Sequence, residues 1–96
     1  MIKELKDNFI ENGYSVVLVP KFKRFGKKLE GYICQDTLEI YIEKNLPLEE
    51  RVITLLHELI HDVHEDWSEE KVENEARKIY QNLSDRDLGF LEFLVS

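Results

Sequence analysis

A chain of 96 residues with 43% hydrophobic and 34% charged side chains suffices for one core and is too short for a second, so residues 1–96 read as a single domain. A net charge of −7 argues against nucleic acid as the main partner, and no apolar run approaches the roughly 20 residues that span a bilayer. The start, MIKELKDNFIENGY, lacks the apolar core of a signal peptide, and a single cysteine, Cys34, excludes an internal disulfide, so the expected location is the cytoplasm.

In chain order, Ile2, Leu5, Phe9 and Ile10 recur at helical spacing among Lys and Glu, and Asn12-Gly13 supplies a helix stop. Tyr14 to Val19 is a β-branched apolar run closed by Pro20, which predicts a strand. Lys21 to Lys28 then carries five of the 13 basic residues beside Phe22 and Phe25. It reads as a solvated loop with the two Phe side chains tucked under the fold, in preference to a patch that grips an acidic partner.

Gly31 to Gln35 and Thr37 to Glu43 predict a hairpin, because Leu38, Ile40 and Ile42 alternate with Glu39, Tyr41 and Glu43. Cys34, inside the first of these strands, reads as a buried structural thiol. Near Asn45 the apolar spacing switches to helical. Leu46-Pro47-Leu48-Glu49-Glu50 opens a helix whose Val52, Leu55, Leu56, Leu59 and Val63 share one arc, while His57 and His61 project from another. Ser68 is a good N-cap for the next helix, with Val72, Ala76, Ile79 and Leu83 as its buried stripe, and Ser84 caps a last apolar helix. The expected architecture is α+β: an N-terminal helix, a small, mostly antiparallel sheet of three strands, then three helices.

The chemistry concentrates in RVITLLHELIHDVHE, Arg51 to Glu65, where all three histidines fall within eight residues. His57-Glu58-Leu59-Ile60-His61 is an HExxH pattern, which stacks two imidazoles on one helix face where they can grip one ion. Glu58 lies roughly 100° around the helix, within reach of a water on that ion. A catalytic Zn2+ site keeps three protein ligands and one open position, so a third ligand is needed. His64 is an unfavourable choice, because seven residues of helix separate it from His57 by roughly 10.5 Å. Glu69, Glu73 and Glu75 flank the buried stripe of the following helix, and helical geometry leaves the choice among them open. His64, Tyr80, Tyr32 and Tyr41 are candidates to stabilise an oxyanion.

The segment ENEARKIY, Glu73 to Tyr80, resembles the Glu-x-x-Ala-x-x-Phe-Ala signature that follows HExxH in the ImmA/IrrE family of metallo-endopeptidases. The upstream order is similar too: a strand after Gly13-Tyr14, Gly31-Tyr32 opening a hairpin, an Asn-Leu-Pro segment at Asn45 to Pro47, then Thr54 to His61. Ile60 stands where the family often has Gly, Tyr80 where it often has Ala, and Arg77 where it often has Asn or Asp. The resemblance implies a minimal, gluzincin-like zincin fold, with Glu73 as third zinc ligand ahead of Glu75 and Glu58 as general base. It also implies cleavage of a repressor-type protein. The expected function is a zinc endopeptidase acting on a protein or peptide, a transcriptional repressor or an antitoxin being the candidate substrates. The competing expectation is a metal-holding regulatory or interaction module of a phage or toxin-antitoxin system, without turnover.

Overall fold

Helix α1 (Ile2–Asn12) buries Leu5 and Phe9 and leaves Ile10 exposed, so its apolar stripe is narrower than the sequence pattern suggests. It ends where Gly13 takes φ +74, a left-handed conformation that only glycine adopts without strain. The amides of Gly13 and Tyr14 close the last turn on the carbonyls of Ile10 and Phe9. The computed structural model describes residues 1–20, 22–24 and 27–96, with side chains described outside residues 21–29.

Strands β1 (Ser15–Val19), β4 (Gly31–Cys34) and β5 (Glu39–Glu43) form one sheet in the order β1-β5-β4. The sheet is mixed: β5 pairs in parallel with β1, from Ser15↔Glu39 to Val19↔Glu43, and antiparallel with β4, from Gly31↔Ile42 to Cys34↔Glu39. Between β1 and β4 the chain forms a separate antiparallel ribbon of β2 (Phe22–Arg24) and β3 (Lys27–Leu29), where a loop is expected from the sequence. Strands of three residues are too short for a period-two pattern to register among so many charges. The expected tucking of Phe22 and Phe25 falls outside the described residues.

The β4–β5 connection is longer than the hairpin expected at Gln35-Asp36. Residues 35–38 all lie in the turn, and Leu38 adopts φ +58 with its side chain exposed. Leu38 therefore continues the alternation of Ile40 and Ile42 in sequence only; its carbonyl accepts from the Ser15 amide at 3.0 Å and ties the turn to β1. Cys34 is half-buried, not enclosed.

Helix α2 (Leu48–Val63) is the axis of the fold, in contact with α1, β4, β5 and two following helices, α3 (Glu69–Gln81) and α4 (Asp85–Leu94). Being surrounded on several sides, it buries Ile53, Thr54 and Ile60 besides the expected Val52, Leu55, Leu56 and Leu59. Ser68 and Ser84 cap α3 and α4 by accepting from the amides of Lys71 and Asp87, both at 3.1 Å. Side-chain pairs Glu50–Arg77, His57–Glu73 and His61–Glu69 step in opposite directions along α2 and α3, so the two helices run antiparallel.

Asp62, directly after the second motif histidine, joins four segments. One carboxylate oxygen accepts from Asn8 Nδ2 at 2.8 Å and the Tyr14 hydroxyl at 3.1 Å, and the other from Gln35 Nε2 at 2.6 Å. Burial, together with the bond to Asp62, pushes the Tyr14 hydroxyl up to about 12. Three bonds to one charged acceptor outweigh a typical surface contact, so Asp62→Ala is expected to cost about 2–3 kcal/mol. Denaturant unfolding measures it; a change under about 0.5 kcal/mol, the ordinary surface range, would show that the joint holds nothing.

Candidate metal centre

The middle of α2, the N-terminal half of α3 and the start of β4 enclose a cleft of about 440 Å3. His57, Glu58 and His61 line it together with Glu69, Glu73 and Arg77 from α3, and Gly31 and Tyr32 from β4. Gly31 is needed for closeness: a Cβ there would lie 2.5 Å from Thr54 Cγ2 and 3.4 Å from Glu58 Cγ. The bare backbone lets the edge of the sheet rest directly on the turn of α2 that carries Glu58.

The two motif imidazoles lie one turn apart on one helix face and meet edge to face, with ring centroids 4.8 Å apart. Glu69 reaches both of them. Its Oε2 is 3.2 Å from His57 Nε2 and its Oε1 is 2.5 Å from His61 Nε2. The second approach lacks hydrogen-bond geometry, and His61 Nε2 is buried with no hydrogen-bond partner. A buried ring nitrogen left without a hydrogen bond beside a carboxylate calls for a further partner, which a cation between the two would supply. Among the described residues, His57, His61 and Glu69 form a group whose donor atoms all lie within 4.8 Å of one another. Two imidazoles and one carboxylate suit a borderline divalent ion, so the donor set and the orphaned nitrogen fit a metal.

Glu73, expected as the third ligand from the family resemblance, sits at the opposite nitrogen of His57. Its Oε1 is 2.8 Å from Nδ1, and its Oε2 accepts from Arg77 Nε at 2.7 Å. The antiparallel pairing of α2 and α3 accounts for this: one helical turn separates His57 from His61 and Glu73 from Glu69, so Glu69 falls beside the later histidine. Burial would raise the Glu73 carboxyl, but the bond with His57 and the charge and bond of Arg77 hold it below the ordinary carboxylate range. Glu75 is turned elsewhere, lining a shallow hollow with Ser68 and Lys71.

Glu58 makes the sharpest electrostatic contrast. Its carboxyl is largely desolvated beneath the sheet, and burial, reinforced by the neighbouring Glu69 and opposed by His57, pushes it up to about 7. In the fold the neutral acid is favoured, whereas the unfolded chain ionises near 4.5. The folded protein thus binds more protons between those values, and this contribution to stability is complete below about pH 4.5 and lost as pH rises through about 7. In protein treated with chelator, Glu58→Gln is therefore expected to unfold like wild type at pH 4.5 and to be more stable at pH 8, by up to about 3 kcal/mol. Thermal melts across that range test it; a constant difference between the two proteins would show that Glu58 ionises alike in both states.

Of the four oxyanion candidates, Tyr32 lines the cleft. The Tyr41 hydroxyl is held by Glu39 at 2.7 Å, and Tyr80 does not line the cleft. His64 caps the end of α2 and stacks flat on Trp67 with centroids 4.0 Å apart. Sequence reasoning did not find Glu50 and Arg77, which close the far side of the cleft; the i, i+4 spacing of Glu73 and Arg77 was the available signal. Compared with protein-family models, with curated proteins and with solved structures, the chain has no match. No helix among the described residues is long and apolar enough to cross a membrane.

Proposed function

We propose that this chain is a zinc-dependent endopeptidase, similar in design to the ImmA/IrrE enzymes, with His57, His61 and Glu69 holding the metal. The observation that carries the reading is the meeting, in one cleft, of a three-donor cluster and a desolvated carboxyl, Glu58, that belongs to no donor pair. A purely structural metal site has no use for such a base. Zinc, when bound, would supply a Lewis acid that brings the ionisation of a water near neutral pH.

Glu58 performs the proton transfers: it takes a proton from the attacking water and returns it to the leaving amine. Glu73 orients His57. By accepting from Nδ1–H it fixes the tautomer whose Nε2 lone pair faces the cleft and raises the basicity of that nitrogen. Tyr32, at the cleft wall, is the oxyanion candidate that the cleft retains. The substrate class is a protein or peptide, and a repressor or a co-encoded antitoxin is the first to try.

The reading is tested by elemental analysis of protein expressed in zinc-supplemented medium. The expected result is about one zinc per chain, lost in the His57→Ala, His61→Ala double variant. Retention of zinc by that variant would sink the proposal. Zinc bound as expected, with no cleavage of any candidate partner, would favour the metal-holding regulatory module.

A further inference from the structure

Arg77 takes hold of two carboxylates at once. Its Nε donates to Glu73 Oε2 at 2.7 Å, while Nη1 and Nη2 donate to Glu50 Oε2 and Oε1 at 3.3 and 3.1 Å. Glu50 lies two turns before His57 on α2, so the forked pair anchors the guanidinium to the same helix that carries the histidines. With Oε1 at His57 Nδ1 and Oε2 accepting from Arg77, Glu73 is held on the side of the ring opposite Nε2. Glu69 lacks an arginine clamp: it is mostly exposed, and its oxygens stand at the two imidazole Nε2 atoms, Oε2 in hydrogen-bond contact with that of His57 at 3.2 Å.

Glu69 and Glu73 are one turn apart on α3 and approach the same imidazole from its two nitrogens. Both carry carboxyl groups, and a bound divalent ion would attract either. What separates their roles is the clamp. We propose that Arg77 is a positioning residue that commits Glu73 to Nδ1 of His57 and thereby reserves the third metal position for Glu69. The idea rests on the metal-centre reading above, and it assigns ligand choice to a residue outside the donor group. Lysine would be a poor substitute, because a single ammonium cannot span Glu50 and Glu73 with the planar fork used here.

Co2+ titration of the full chain, followed by visible absorption, tests this without a substrate. Arg77→Gln is expected to lower Co2+ affinity about tenfold, the scale of a lost outer partner, and Glu69→Ala to lower it further. In the Glu69→Ala, Arg77→Gln double variant, Glu73 is released to occupy the vacated position. The combined loss should then be at least about tenfold smaller than the product of the single losses, a coupling of about 1.4 kcal/mol. Glu50→Gln, which loosens the anchor and leaves Arg77 in place, should show the same coupling with Glu69→Ala at smaller size. Circular dichroism of each variant checks folding. Multiplicative losses in both double variants, with Co2+ bound by the wild type, would overturn the role of Arg77 alone. No Co2+ binding by the wild type would overturn the metal centre and this role with it.

Discussion

Glu58→Gln is expected to slow peptide hydrolysis by about 10² to 10⁴-fold while zinc content stays at the wild-type level. The side chain is not among the clustered donor atoms, so the ion has nothing to lose. Size and hydrogen-bonding capacity are kept, and in chelator-treated protein the desolvated charge that Glu58 carries above about pH 7 is removed, so there the variant should melt no lower than wild type. A fall in rate with stability preserved or improved separates loss of a base from loss of the fold. Cleavage at the wild-type rate would end the peptidase mechanism and leave the metal-holding module as the better reading.

The second large effect separates two glutamates one turn apart. Glu73→Ala removes the acceptor at His57 Nδ1 and frees the ring to turn, which costs about 10- to 100-fold in metal affinity. Glu69→Ala removes a donor from the cluster itself and is expected to cost more than that. Glu75→Ala, on a different face of α3, should leave affinity unchanged. Competition with a zinc chelator of known affinity ranks the three. A larger loss for Glu73→Ala than for Glu69→Ala would restore Glu73 as ligand and require α3 to shift along α2 when metal binds.

The helices and the motif were legible in the sequence because each is a local pattern. Leu5 and Phe9, Val52 to Leu59, and Val72 and Ala76 all show helical spacing, and Ser68 and Ser84 mark their helix starts through side-chain caps. What stayed hidden depends on how distant segments meet. The parallel pairing of β1 with β5 joins segments more than 20 residues apart, which no alternation of Ile40 and Ile42 reveals. Leu38 continues that alternation perfectly and still lies in a turn, because the Cys34↔Glu39 register assigns residues 35–38 to the connection. The roles of Glu69 and Glu73 follow from the register of α3 against α2. Sequence spacing places both on the right face and cannot say which stands beside His61. Asp62 looked like one more acid in a run of seven between Asp62 and Glu75, and only the fold brings Asn8, Tyr14 and Gln35 to it.

The most direct test of the central claim is anomalous diffraction at the zinc edge from crystals of the full chain grown with Zn2+. The expected result is one strong peak in the cleft, shared by His57 Nε2, His61 Nε2 and the Glu69 carboxylate, with Glu58 beside it but unbonded and Glu73 still on His57 Nδ1. A cleft without anomalous signal, or zinc bound only elsewhere on the surface, would contradict it.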